Sequence, residues 1–237
     1  MKLLHLYHDI MNLYGEYANT LVLRDILRSG GEDCEIEKKS FGDEVDFDSY
    51  DFVYVGSGTE RNQKLVLEDF RRLEQGFRAY VRSGRAALWT GNSFELLGSS
   101  LTDAQGKSYD GIGMFGFQTT EQNKTRNTAD AIFSCDFLDR PLVGFVNKCS
   151  VIDGVDNPLF RVQMGLGNRD GDQTEGVRRE NLFGTHLTGP VLIKNPHFLE
   201  YLASLLLGRA PETGWMLHER AGYEVTLTEL QKRLSAQ

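Results

Sequence analysis

Residues 86–98, reading Ala-Ala-Leu-Trp-Thr-Gly-Asn-Ser-Phe-Glu-Leu-Leu-Gly, constrain the fold more than any other stretch of the chain. An apolar run stops at Gly-Asn-Ser and a new apolar periodicity begins at once, which predicts a strand, a sharp elbow and a helix. Such a junction lifts one residue above the carboxyl edge of a parallel sheet and turns the next backbone N–H groups toward whatever binds there. The lifted residue is Gly91. The geometry suits a nucleophile, while the residue at that position has no side chain.

The flanking sequence supplies the sheet this elbow requires. Residues 2–7 are a short apolar run suited to a buried strand and closed by His8-Asp9, and residues 19–29 carry Leu21, Val22, Ile26 and Leu27 at helical spacing before a Gly30-Gly31 stop. Residues 34–38 read as an edge strand and 43–51 as an acidic loop. A further buried strand runs from Asp51 into Gly56-Ser57-Gly58, where glycines let backbone N–H groups face a ligand. Residues 65–82 are expected to form one long helix with Leu65, Leu67, Phe70, Leu73, Phe77 and Tyr80 toward the core. This alternation predicts an α/β fold with a doubly wound parallel sheet and ligand loops at its carboxyl edge.

The second half reads as more antiparallel. Strand candidates are residues 111–120, 131–133, 142–149 and 160–164, with a polar stretch at 122–130 and a Gly/Asp-rich loop at 165–176. Residues 182–187 read as another buried strand and 196–207 as a helix begun after Asn195 with Pro196 in its first turn. A last helix is expected over 226–234, started by the capping pattern Thr226-x-x-Glu229.

Within 237 residues no low-complexity linker separates these parts, so residues 1–237 are expected to be a single domain. A net charge of −8 repels phosphate backbones, and the densest basic pair, Arg178-Arg179, is flanked by Glu175 and Glu180, which argues against nucleic acid as a partner. Cys34, Cys135 and Cys149 lack C-x-x-C spacing and fit reduced thiols of a cytoplasmic protein. The apolar N-terminal run is too short for a signal peptide or a membrane span. His5 and His8 bracket a strand end without a third ligand at metal spacing, so neither metal nor cofactor is expected.

Four stretches in order carry a family resemblance: residues 6–15 with Asn19, residues 55–63, the elbow, and residues 184–196 reading Gly-Thr-His-Leu-Thr-Gly-Pro-Val-Leu-Ile-Lys-Asn-Pro. With Gly144-Phe-Val-Asn147 and Gly165-Leu-Gly-Asn168, the chain resembles the cobyric-acid-synthase-like class I glutamine amidotransferases, and most closely their GatD-like branch, the glutaminase subunits of lipid II isoglutaminyl synthase. The resemblance implies a flavodoxin-like sheet of the amidotransferase type with additional antiparallel strands in its second half. It also implies glutamine hydrolysis by an elbow cysteine and a histidine near the last strand, and delivery of ammonia to a Mur-ligase-like partner subunit that amidates peptidoglycan.

Residue by residue, the resemblance puts Gly91 at the nucleophile and Thr188 at the histidine, so both catalytic positions are expected to be inactive. Gly58 and Asn92, whose main-chain N–H groups would line an oxyanion hole, and His186, two residues before Thr188, are the expected contacts for glutamine or another small molecule. A non-catalytic amino-acid-binding or regulatory subunit of another ligase complex is the alternative. Ser93, Thr90 and Cys149 are weighed as replacement nucleophiles against capping and packing roles, and Asp9 and Asn12 as ligand contacts against helix capping.

Overall fold

In the computed structural model, which describes residues 1–122 and 126–236, the elbow stands on a six-stranded sheet. The chain forms β1 (Lys2–Leu6), α1 (Ala18–Ser29), β2 (Glu35–Lys39), β3 (Phe52–Val55), α2 (Glu60–Phe70), α3 (Glu74–Arg82) and β4 (Ala86–Thr90) in turn. It then builds β5 (Ser100–Thr102), β6 (Ser108–Asp110), β7 (Gln118–Glu121), β8 (Asn127–Ser134), β9 (Leu142–Lys148), β10 (Ser150–Asp153), β11 (Phe160–Met164), β12 (Thr174–Glu175) and β13 (Val177–Arg179). It returns as β14 (Leu182–Thr185), α4 (Val191–Lys194), α5 (Pro196–Leu207) and α6 (Leu217–Ser235).

The main sheet runs β13-β14-β4-β3-β1-β2, parallel throughout except for β13 at one edge. This is the doubly wound order of flavodoxin-like folds, with the fifth parallel strand supplied late by β14. Successive side chains on a strand face opposite ways. Leu4, Val53, Ala87 and Trp89 accordingly enter one buried cluster with α2 and α3, while Leu3, Phe52, Tyr54 and Leu88 enter another with α1 and α5. Both faces are covered, which is why β3 and β4 are buried along their whole length and almost entirely apolar. Two four-stranded sheets, β10-β7-β5-β6 and β12-β11-β8-β9, form between β4 and β14.

Several sequence expectations are corrected. The helix expected over 65–82 is two helices, α2 beginning earlier at Glu60 under the Thr59 side chain, which accepts from the Asn62 N–H at 3.2 Å. The break falls where the Arg72 guanidinium grips Asp69 three residues back, at 2.9 Å from each carboxylate oxygen, and tightens the turn. Leu65 is 40% exposed, off the core stripe. Residues 111–116 are not strand, because their N–H groups bond to residues 96–99 and Arg71 and Arg78 take the Gly111 and Ile112 carbonyls. The expected strand 182–187 stops at Thr185, whose hydroxyl accepts the Leu187 N–H at 2.9 Å and turns the chain. The 165–176 loop contains β12, and of the polar stretch 122–130 residues 123–125 lie outside those described.

The last helix starts at Leu217, so Thr226 lies inside it and donates to the Gly222 carbonyl four residues back at 2.8 Å. Thr226→Ala is therefore expected to leave stability within about 0.5 kcal/mol of wild type, whereas loss of a true N-cap costs about 1 kcal/mol. Urea denaturation decides between them, and a loss near the larger figure would restore the capping role.

No helix among the described residues is long and apolar enough to cross a membrane.

Candidate functional site

β4 ends at Thr90 and the chain turns into the expected helix, which is of the 3-10 kind over Gly91–Leu97. Gly91 sits at φ +61°, the left-handed region where glycine avoids the Cβ penalty of other residues. The elbow is pinned from below. The Ser93 hydroxyl lies 2.8 Å from the Thr90 carbonyl and 3.1 Å from the Val55 carbonyl, so its proton is engaged by the ends of β4 and β3. Thr90 and Tyr54 hydroxyls meet at 2.8 Å.

The Gly56-Ser57-Gly58 loop after β3 lies against the elbow. The Gly58 N–H donates to Asn92 Oδ1 at 2.9 Å, so these two residues meet, and the donor expected to face a ligand is satisfied by the Asn92 side chain. From the other side comes the loop after β1, whose Leu13 N–H donates to the Ser57 carbonyl at 2.9 Å. In that loop Asn12 Oδ1 accepts the Tyr17 N–H ahead of α1, and Asp9 accepts from Ser40 just after β2, so both are engaged within the protein.

Beneath these loops lies Glu16, fully buried, which no sequence signal singled out. It accepts from Tyr54 at 2.8 Å, from Asn19 and the Gly189 N–H at 3.3 Å each, and from Thr90. Burial pushes its carboxyl above the ordinary range, opposed by the Thr90, Tyr54 and Gly189 hydrogen bonds. One carboxylate thus ties together the loop after β1, the ends of β3 and β4, and the loop after β14.

Thr188 and His186 go to different places. The Thr188 N–H and hydroxyl both donate to the Phe145 carbonyl at 2.9 Å, fastening the loop after β14 to β9. His186 is 1% exposed and turns into a nest of buried acids, its Nε2 2.8 Å from Glu95 Oε1 and its Nδ1 3.6 Å from Glu175 Oε1. Glu95 also accepts from Gln63 at 2.7 Å and from Ser150, and Glu175 from the Thr185 hydroxyl and the His186 N–H. Lys148 lies beside this nest and caps the Asn168 carbonyl at 2.8 Å. Burial lowers its amine, with Glu175 and Glu95 opposing that shift. A buried histidine held by carboxylates is a structural tie between the elbow, β12 and the β14 loop.

Cys149 offers no replacement thiolate. Its thiol donates to Glu60 at 3.3 Å, and burial, reinforced by that carboxylate, pushes its pKa up to about 12. The structure therefore brings Gly91, Asn92 and Gly58 together, ties Thr188 to β9, and places His186 in the buried acid nest.

Residues 2–196 match the CobB/CobQ-like glutamine amidotransferase domain. The GatD subunit of glutamine-hydrolyzing lipid II isoglutaminyl synthase from Streptococcus pneumoniae is 28% identical over 209 residues, covering 87% of this chain and 80% of that protein. Its Staphylococcus aureus counterpart is 27% identical over 202 residues, covering 85% of this chain and 82% of that protein. Among solved structures, a glutamine amidotransferase superposes with a TM-score of 0.57 at 14% identity, covering 87% of this chain and 98% of that one. A Thermotoga maritima glutamine amidotransferase superposes with a TM-score of 0.54 at 12% identity, covering 100% and 94%. These superpositions carry the fold, and the match over residues 2–196 carries the family: the chain belongs to the CobB/CobQ-like glutamine amidotransferases.

Proposed function

We propose that this chain is a GatD-like subunit which, as one domain over residues 1–237, works in the cytoplasm beside a Mur-ligase-like partner in the amidation of a peptidoglycan precursor, and does not itself hydrolyse glutamine. The first half of this reading is supported by the two GatD relatives aligned over most of their length. The second half rests on one observation: the elbow carries Gly91 in the left-handed geometry of a nucleophile position with no side chain to attack. Covalent acyl transfer requires an attacking atom and a base to take its proton. Thr188, at the base position, spends its hydroxyl proton on the Phe145 carbonyl. One of the two donors on which the amino-acid-binding alternative rests is occupied, because the Gly58 N–H that would receive a ligand is bonded to Asn92.

Incubating the purified protein with glutamine, alone and with its ligase partner, tests the reading. No glutamate release above background is expected. A turnover of about 1 s⁻¹ or more, within the ordinary enzymatic range, would overturn it.

A further inference from the structure

We infer that the site is closed by the chain's own side chains, with Ser57 standing where the nucleophile of an active relative would begin. This rests on the reading of Gly91 as the vacated nucleophile position and deepens it: the site lacks a nucleophile and also lacks room for one. A Cβ built on Gly91 lies 2.3 Å from Ser57 Oγ and 2.4 Å from Ser57 Cβ. Rotating the Ser57 side chain moves only the hydroxyl, so the second contact persists unless the backbone shifts. Packed interiors resist such shifts. Ser57 is itself held, since its carbonyl accepts the Leu13 N–H at 2.9 Å and its two glycine neighbours are pressed by the loop after β1.

That pressure is also visible at Gly58 and Gly56. A Cβ on Gly58 would lie 2.3 Å from Met11 Sδ, and one on Gly56 2.4 Å from the Met11 carbonyl. Met11 is fully buried there. The backbone cradle that the Gly-Ser-Gly loop would offer a ligand is thus filled by a methionine thioether, its outer donor is bonded to Asn92, and the space above the elbow holds a serine. Placing a cysteine at residue 91 therefore conflicts with Ser57 before any question of a base arises.

The test is a double-mutant cycle on the full chain with Gly91→Cys, Ser57→Gly and the double variant. The left-handed backbone strain at residue 91 is the same with and without Ser57, so it cancels in the cycle. Ser57→Gly should lower Tm slightly in the wild-type background and raise it by about 5 °C or more in the Gly91→Cys background, a reversal of sign. Alkylation of the introduced thiol by iodoacetamide, read by peptide mass spectrometry and so separate from Cys34, Cys135 and Cys149, should be roughly tenfold faster in the double variant, on the principle that thiol reactivity follows access. If Gly91→Cys does not fold, Gly91→Ala with and without Ser57→Gly presents the same Cβ contact and gives the same comparison. Equal cost of Ser57→Gly in both backgrounds overturns the inference. Glutamate release by the wild-type protein overturns the reading of Gly91 as inactive and leaves the cycle untouched, so the two failures are distinguishable.

Discussion

Glu95→Ala is expected to lower Tm by about 8–16 °C. Glu95 lies four residues beyond Gly91 and is nearly fully buried, where its carboxylate accepts from Gln63, Ser150 and His186. Removing it leaves the Ser150 hydroxyl and His186 Nε2 without an acceptor, each costing about 1–3 kcal/mol, takes one of the two acceptors of Gln63 Nε2, which keeps the Asn92 carbonyl at 2.6 Å, and opens a void beneath the elbow. A combined loss of about 4 kcal/mol corresponds to that Tm shift at about 2–4 °C per kcal/mol for a chain of this size. Glu95→Gln keeps one oxygen in place and should lose less. Calorimetry on the two variants reads the difference, and a loss of about 1 kcal/mol or less for Glu95→Ala would show that the nest relaxes around the gap.

The second large effect concerns acid. His5, on β1, is 1% exposed, and neither ring nitrogen has a partner among the described residues. Burial, with the charges of His8 and Lys38 acting in the same direction and Asp9 opposing them, lowers its pKa from 6.5 to about 3. In this window the unfolded chain binds a proton that the folded one refuses, so stability is full above pH 6.5 and falls as the pH drops toward 3. The loss attributable to this one ring is on the order of 5 kcal/mol at about 1.4 kcal/mol per pH unit. His197 adds to it in the same direction, its pKa lowered to about 4 by burial and by Arg140. Glu16 acts in the opposite sense, since its raised carboxyl favours the folded state once protonated. His5→Leu separates these contributions: the variant should match or exceed wild-type stability at pH 7, having lost two unpaired buried nitrogens, and should fall less steeply between about pH 6.5 and 4. Urea denaturation at several pH values supplies the comparison, and parallel profiles for the two proteins would remove His5 as the cause.

Local signals in the sequence carried the scaffold. The elbow was legible because an apolar strand, a glycine turn and a new periodicity lie within a dozen residues, and α5 matches its expected bounds because Pro196 can open a helix but not continue one. The break between α2 and α3 was not legible, since it depends on Arg72 folding back onto an Asp69 that is held in turn by Tyr7 from the end of β1. The same holds for the start of α6, where a Thr-x-x-Glu pattern also fits a helix interior. In the site, Gly91 stood out from the elbow pattern itself, whereas Thr188 stood out only through the resemblance, because nothing in the apolar run and turn around it marks a missing base. Glu16, Glu95, Glu175 and Lys148 were invisible for a different reason: a charged residue read in isolation belongs on the surface, and each of these is buried by partners distant in sequence. Ser57 was visible only as the middle of a glycine turn, and its contact with Gly91 exists solely through the packing of β3 beside β4.

The place of the two small sheets between β4 and β14 bears on how the protein folds. β1, β2 and β3 find their neighbours across short connections, but β4 completes its pairing only when β14 arrives after the whole of β5 to β13 has been made. Chain entropy must be lost before so distant a contact contributes anything, so such pairings are slow to form. Until then β4, apolar at nearly every position, presents an open edge, the kind of surface on which partly folded chains aggregate. Glu95, which binds His186 after β14 to the elbow after β4, acts across this same seam, and so helps to hold the long-range pairing of β14 with β4 shut.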